Sequence, residues 1–418
     1  MKSTVGPFVS IAGIFLALTV PLVWMGVQGT NEAYDAAYYH VPAVQTIARD
    51  GLHTDWRTVT TATTPGFHVF MAVLYKLDHG RLWLLHVANL AVSTCLVLLV
   101  FAVTTRFSSP AFAVYLTLPL LLSSYILGSA IWLTTDNFAL FPVVVVAASC
   151  LTGTTTRRAS VQRAFFLTLA VLIRQIQLWL VAPTAVSAIL KSDWRQRIGR
   201  TALEVVCPLI AVGGFVLLWG GFVPPEFQGS YERGLRPVGT IATIAIFGWY
   251  AMAFAPHVVW RAWERREAVS LAVALFVMSI VVPTSFDVAA GRWGGALWAV
   301  VQITPVIFGR SVVISAGAAL AGLAAGALWH AAVARGRRDE AAFILTAATA
   351  CAIVQMVNGL TFQRYVEPVV LVSLIWLTAL TTPTVIRRRH LIGPICIIGL
   401  QIARDLITLY VPVLAANR

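Results

Sequence analysis

The sequence predicts an all-α, polytopic membrane protein with about 11–13 transmembrane helices. Hydrophobic residues make up 59% of the 418 residues, charged residues only 11%, and the mean hydropathy is +0.82. Apolar runs that approach the roughly 20 residues needed for a membrane-crossing helix recur along the chain. A transmembrane β-barrel is excluded because its strands would alternate apolar and polar residues.

The net charge of +13 indicates membrane topology rather than a nucleic-acid partner. The basic residues form short clusters between apolar runs, which is the pattern of cytoplasmic loops. The clusters are Arg157, Arg158 and Arg163; Lys191, Arg195, Arg197 and Arg200; Arg261, Arg265 and Arg266; Arg335, Arg337 and Arg338; and Arg387, Arg388 and Arg389. We therefore expect membrane lipids as partners and no nucleic acid.

The five cysteines predict neither a disulfide framework nor a metal site. Each lies within an apolar run, and none has the paired spacing that zinc ligands show. We expect no metal and no cofactor.

The first apolar run, about residues 9–27, is expected to remain as a first span that runs outward. Residues 28–81 then form a long external loop that carries surface helices. Within it, Thr64, Pro65 and Gly66 open an apolar stretch that is too short to cross a bilayer. Most of the acidic residues also fall on this outer side, which places the chemistry there.

Residues 164–190 are flanked by basic clusters on both sides, yet Arg174 and Gln175 lie in the middle. Both ends should therefore face the cytoplasm, which predicts two half-length helices with a break at Arg174. A broken helix at membrane depth is tolerated where it is buried in protein or lines a wet cavity. The alternative is one straight span with Arg174 extended toward the membrane surface.

The segment 31–42, NEAYDAAYYHVP, contains the strongest candidate for a functional site. It places Glu32 and Asp35 at a membrane edge, with Tyr39 and His40 close behind. Carboxylates are costly near lipid, so an acidic segment beside a span indicates function. The alternative is a solvated loop whose aspartate caps a helix.

On the predicted outer face the chain brings carboxylates together with Arg174, Arg292 and Arg364. A carboxylate that accepts a proton and guanidinium groups that hold a phosphate are what a lipid-phosphate group transfer needs. The alternative for Arg292 and Arg364 is a solvated loop charge. A transporter would place polar residues near the midplane in two matching halves, and the sequence has no such symmetry.

Four elements in the first part of the chain resemble membrane glycosyltransferases of the GT-C type, which use polyprenyl-phosphate sugars. More narrowly, they resemble the dolichyl-phosphate-glucose α-1,2-glucosyltransferases that complete the N-glycan precursor. The matching elements are Asp35 ahead of His40-Val41-Pro42, Thr63-Thr64-Pro65-Gly66, Thr135-Asp136, and Arg174-Gln175 followed by Trp179; Gln363-Arg364-Tyr365 before Pro368 is a more general match. The acid lies one position further from His40 than in the eukaryotic enzymes, and Ile176 and Gln177 replace two polar residues. The donor sugar and acceptor are left open by these departures.

The resemblance implies a single inverting displacement at the anomeric carbon. Asp35 would act as general base, with Glu32 as the alternative. Arg174, Arg364 and Arg292 would hold the phosphate of the donor in place of a metal. The residues implied in sugar or acceptor binding are His40, Tyr39, Asp136, Gln175 and Trp179. Two alternatives stay open: Asp136 could instead pair with Arg174, and His40 could make a structural hydrogen bond.

The implied reaction moves a hexose, glucose-like, from a polyprenyl-phosphate donor to a hydroxyl of a lipid-linked or surface glycan. Residues 1–200 would form the catalytic module and residues 201–418 a variable module that completes the site. The composition favours a bacterial cell membrane with an external site, or the lumenal face of the endoplasmic reticulum in a eukaryote. The alternatives are a flippase or transporter of lipid-linked sugars, and a non-enzymatic scaffold.

Overall fold

The computed structural model describes residues 5–25, 31–153, 156–190, 194–229, 234–284, 293–383 and 386–411. These residues form helices and a few two-residue strands. The first helices are α1 (Val5–Trp24), α2 (Asn31–Asp35), α3 (Val41–Asp50), α4 (Gly66–Leu77), α5 (Trp83–Thr104), α6 (Pro110–Leu121), α7 (Ser124–Ile131), α8 (Asp136–Leu151), α9 (Arg157–Ile173), α10 (Val181–Ile189) and α11 (Trp194–Trp219). Those that follow are α12 (Pro237–Phe254), α13 (Pro256–Val259), α14 (Arg266–Val281), α15 (Ala296–Ile303), α16 (Val312–Val333), α17 (Arg338–Val354), α18 (Glu367–Thr381) and α19 (Arg388–Asp405).

Seven helices in the described part of the chain are long and apolar enough to cross a membrane. They are Val5–Trp24, Trp83–Thr104, Gly199–Trp219, Pro237–Phe254, Val312–Val333, Arg338–Val357 and Arg388–Tyr410. The pair α6 and α7 passes the same test when taken together, and four shorter apolar helices add to them: Gly66–Leu77, Asp136–Leu151, Gln175–Ile189 and Glu367–Thr381. The predicted fold class, an all-α polytopic membrane protein, is confirmed.

The chain folds as two compact units. Unit 1 contains residues 1–101, 121–230 and 401–418, and unit 2 contains residues 102–120 and 231–400. The functional division after residue 200 stays a prediction.

In unit 2, small residues let α16 pack tightly against α12 and α14. A Cβ added to Gly322 would lie 2.5 Å from the Cα of Ala272, and one added to Gly248 would overlap the carbonyl oxygen of Gly317. Close backbone approach at small residues is a common way for helices to associate in membranes. The glycines of α16 therefore fix the core of this unit.

Two pairs of short strands connect loops of unit 2 by backbone hydrogen bonds. Strand β1 (Trp293–Gly294) pairs in parallel with β4 (Thr361–Phe362), and β2 (Val306–Ile307) pairs antiparallel with β3 (Arg310–Ser311). The β1–β4 pair leads directly into a 3₁₀ turn, Gln363–Tyr365, at the start of α18. This pairing sets the position of Arg364.

In unit 1, α9 and α11 run parallel to each other. Near their starts, Arg163 of α9 forms an ion pair of 2.7 Å with Glu204 of α11. Beyond their other ends, the side-chain amide of Gln175 donates to the carbonyl of Phe222 over 2.9 Å. Since two parallel helices need a returning segment between them, the residues after Arg174 must run back. The predicted helix break at Arg174 is confirmed: Arg174 is extended, with φ −146° and ψ 113°.

Candidate functional site

The acidic segment, residues 31–42, is helical and contains a π-helical turn. Helix α2 ends at Asp35, a π-helical turn covers Ala36–His40, and α3 continues from Val41. Single π-helical turns within helices occur frequently at functional sites. Asp35 is partly exposed at the start of this turn, where its carboxylate can reach a ligand.

His40 forms a hydrogen bond with a second histidine, His68, which was not predicted from the sequence. Its Nδ1 lies 2.9 Å from Nε2 of His68, the third residue of α4. His68 is completely buried, and that burial lowers its pKa to about 3, so it is neutral at physiological pH. The structural hydrogen bond that was one alternative for His40 is therefore present, and it anchors the acidic segment to α4.

The Thr-Thr-Pro-Gly element docks on the helix break at Arg174. The hydroxyl of Thr64 donates to the carbonyl of Val171 over 2.6 Å, and its backbone N–H donates to Oε1 of Gln175 over 3.1 Å. Nε2 of Gln175 in turn donates to the carbonyl of Ala62 over 2.9 Å. Two motifs more than a hundred residues apart thus form one joint.

Gly66 makes this joint possible because its backbone lies against α9. A Cβ at Gly66 would stand 2.6 Å from the carbonyl oxygen of Leu172, closer than real Cβ atoms approach. The last residue of the element must therefore be glycine for α4 to sit where it does.

We expect Gly66→Ala to loosen the joint and to destabilise the protein by about 1–3 kcal/mol, as overpacking does. The measurement is the thermal unfolding midpoint of the purified protein in detergent. Gly213→Ala is the control, since a Cβ at Gly213 of α11 meets nothing within 4 Å. An equal midpoint for both variants would show that the close approach to Leu172 is not needed.

Asp136 forms an ion pair with Arg174, which is one of its two predicted roles; sugar or acceptor binding by Asp136 stays a prediction. Both side chains are mostly buried, with exposed fractions of 17% and 13%. The pair ties the first residue of α8 to the end of α9. Arg174 uses Nη1 in this contact.

A buried amide network fixes the start of α8, where Asp136 lies. The side chain of Asn137 donates to Ser93 over 2.9 Å and to the carbonyl of Ile126 over 2.8 Å. The side chain of Asn89 donates to the carbonyls of Ser129 and Trp132, which close the end of α7. This network was not predicted, although an asparagine within an apolar run is a signal that could have revealed it.

The remaining candidates in unit 1 have the following surroundings. Tyr39 contacts the rings of Tyr34 and Phe227, and burial first, then Tyr34 and Asp35, raise its pKa. The indole N–H of Trp179 donates to Gln177 over 2.9 Å. Glu32 packs on α7, with its Cγ 3.6 Å from the place of a Cβ on Gly128. Sugar or acceptor binding by Tyr39, Gln175 and Trp179 stays a prediction.

In unit 2, Arg364 is held by two aromatic rings. Its guanidinium lies 5.4 Å from the ring centre of Phe362 and 5.1 Å from that of Tyr365, and Nη2 donates to the Tyr365 hydroxyl over 3.1 Å. Cation–π attraction to the two rings helps to position the guanidinium. Arg292, the third predicted phosphate ligand, lies outside the described residues.

The described part of the chain contains no group of three or more His, Cys, Asp or Glu that could hold a metal ion. The donors shown at the acidic segment are the imidazoles of His40 and His68, and Arg174 is paired with Asp136. The arrangement in unit 1 can therefore offer a carboxylate at Asp35 and a partly neutralised cation at Arg174.

Fold and composition define a class, the polytopic all-α membrane proteins. No family model and no curated protein matches the chain. Among solved structures, the crystal structure of ArnT from Cupriavidus metallidurans in the apo state is similar, with a TM-score of 0.42 and 16% identity over 91% of this chain and 77% of that one. That TM-score is too low to establish a shared fold.

Proposed function

We propose that the protein is an inverting membrane glycosyltransferase of the GT-C type. It moves a hexose from a polyprenyl-phosphate donor to an acceptor hydroxyl. The observation that carries this proposal is the convergence of the family-like elements in unit 1. Thr64 binds Val171 and Gln175, while Asp136 pairs with Arg174. A shared site requires these elements to meet, and their contacts at one helix break support it.

Asp35 is the proposed general base. Its carboxylate takes the proton of the acceptor hydroxyl as that oxygen attacks the anomeric carbon. The bond from the anomeric carbon to the phosphate oxygen breaks in the same step, and the polyprenyl phosphate leaves. A phosphate is a good leaving group, so no catalytic acid is required. Glu32 is the alternative base.

Arginines are proposed to stabilise the departing phosphate. Arg174 supports this role through its position at a helix break, where its guanidinium lies beside Asp136. Arg364 and Arg292 are proposed as further ligands of the phosphate. Because guanidinium groups would do the work of a metal, transfer is expected to persist in EDTA.

Arg364→Ala is expected to raise the donor KM strongly, by about tenfold, because one charged hydrogen bond is lost. Arg364→Lys should rescue only part of this loss, because an ammonium cannot make the bidentate contact of a guanidinium to two phosphate oxygens. It also lacks the planar group that packs on aromatic rings. Initial rates against donor concentration measure both. Arg338→Ala, which removes an exposed charge in the same unit, is the control. Equal KM values for Arg364→Ala and Arg338→Ala would remove Arg364 from the site.

The site is proposed to face outside, at the end of unit 1 that contains Arg174 and Phe222. Single cysteines placed at Phe222 and Arg158, in a chain without the native cysteines, test this. Phe222 is 63% exposed at the Gln175 end, and Arg158 is exposed at the opposite end of α9. A membrane-impermeant maleimide should label Phe222→Cys in intact cells and Arg158→Cys only after permeabilisation. The reverse pattern would place the site in the cytoplasm.

The reaction itself is tested with the purified protein and a labelled polyprenyl-phosphate hexose. Release of polyprenyl phosphate with transfer of label to an acceptor supports the proposal. A panel of donor hexoses identifies the sugar. No release with any donor of the panel would contradict it and favour a flippase or a scaffold.

A further inference from the structure

Two neighbouring histidines in unit 2 form a polar cluster in which one ring has no hydrogen-bond partner in the described part of the chain. His257 of α13 and His390 of α19 have ring centroids 4.7 Å apart. His390 is 1% exposed, and both ring nitrogens of His257 are buried without a hydrogen-bond partner among the described residues. A neutral imidazole always carries one N–H. Buried N–H groups without a partner are rare, so this one requires an explanation.

The contacts of His390 determine where its own proton lies. The backbone N–H of Arg387 donates to Nδ1 over 3.0 Å, so in the neutral ring Nε2 carries the hydrogen. The Nε of Arg389, which is also an N–H donor, lies 3.4 Å from that same Nε2. The ring of His390 thus faces two N–H donors, although a neutral imidazole can accept from only one of them. An oxygen that accepts from Nε2 of His390 and Nε of Arg389 would satisfy this arrangement.

The charges around the cluster are positive. Burial is the largest cause that lowers the pKa of His257, to about 4, and it is followed by His390, Arg389 and Arg261. No carboxylate of the described residues is among these causes. Donors without acceptors and cations without anions at one place indicate that the missing ligand is an anion rich in oxygen.

The neighbouring aromatic residues point to the membrane surface as the source of that anion. Trp260 and Trp263 flank Arg261 and are 70% and 62% exposed. Exposed tryptophans beside arginines are typical of the level of lipid headgroups. The clusters that contain Arg261 and Arg389 are predicted to face the cytoplasm. Basic pockets between helices on the cytoplasmic side of a membrane suit anionic headgroups.

We propose that the cluster of His257, Arg261, Arg389 and His390 binds the phosphate of an anionic phospholipid. One phosphate oxygen accepts from Nε2 of His390 and Nε of Arg389, and His257 donates to another. Arg261 supplies charge at the rim. This site is independent of the proposed transferase activity.

The test uses the full-length protein, stripped of lipid in a neutral detergent, and its thermal unfolding midpoint. Dioleoylphosphatidylglycerol should raise the midpoint saturably, whereas dioleoylphosphatidylcholine and inorganic phosphate at equal concentration should not. Arg389→Gln should weaken the apparent affinity for phosphatidylglycerol by about tenfold, the effect of losing one charged hydrogen bond. Arg158→Gln, which removes an exposed charge from a different basic cluster, should leave that affinity unchanged.

Two results would overturn the proposal. One is an equal response to phosphatidylglycerol in Arg389→Gln, Arg158→Gln and the unchanged protein. The other is a saturable rise of the same size with inorganic phosphate alone, which would make the ligand a free anion instead of a lipid. Since Arg389 is exposed, its substitution is not expected to disturb folding, and the unliganded midpoint of Arg389→Gln checks this directly.

Discussion

Asp35→Asn should lower the rate of sugar transfer by about 10²–10⁴-fold, the range typical of a lost general base. The amide has nearly the same shape as the carboxylate, so folding and donor binding should be kept. The measurement is kcat with a saturating polyprenyl-phosphate hexose, together with the donor KM. A fall in kcat at an unchanged KM is the result that assigns the proton transfer to Asp35.

Glu32→Gln is the matched control, because it makes the same chemical change three residues earlier. The Glu32 side chain packs beside Gly128 of α7, a contact that gives it a structural role. We expect a much smaller loss than for Asp35→Asn. An inactive Glu32→Gln with an active Asp35→Asn would exchange the two roles. Full activity in both variants would remove the acidic segment from the chemistry.

Arg174→Gln should lower kcat/KM for the donor by about 10²-fold or more, as expected when a preorganised donor to a developing negative charge is lost. It should also destabilise unit 1, because the carboxylate of Asp136 is left mostly buried without its cation. Breaking one side of a buried pair costs about 3–5 kcal/mol. Donor kinetics and the unfolding midpoint measure the two effects separately.

The double variant Asp136→Asn with Arg174→Gln separates phosphate binding from structural pairing. It removes both charges, so the midpoint should largely recover. The activity should stay low if Arg174 binds the donor phosphate. Recovery of both properties would mean that Arg174 acts only by holding Asp136.

The sequence was sufficient to predict the fold class and the helix break. Arg174 between two basic clusters could be placed because charge and apolar length constrain each span. The pairing of Arg174 with Asp136 stayed open, since α8 and α9 are adjacent in the chain but their rotation about their axes depends on packing. Only the structure shows that these two side chains meet.

His68 could not have been found from pattern alone. It follows the Thr-Thr-Pro-Gly element by two residues, but whether it faces His40 or the membrane depends on how α4 docks. That docking depends on the backbone contact between Gly66 and Leu172, which leaves no trace in hydropathy. The histidine pair of unit 2 is similar: His257 and His390 are far apart in sequence, and their ring contact follows from the packing within unit 2.

The most direct test of the proposed function is transfer by the purified protein in proteoliposomes that carry the labelled polyprenyl-phosphate hexose. Polyprenyl phosphate and a glycosylated acceptor should appear together in equal amounts, and both should be lost in Asp35→Asn. The new glycosidic bond should have the opposite anomeric configuration to the donor. Movement of the intact donor lipid to the other leaflet, with no polyprenyl phosphate released, would contradict the transferase and identify a flippase.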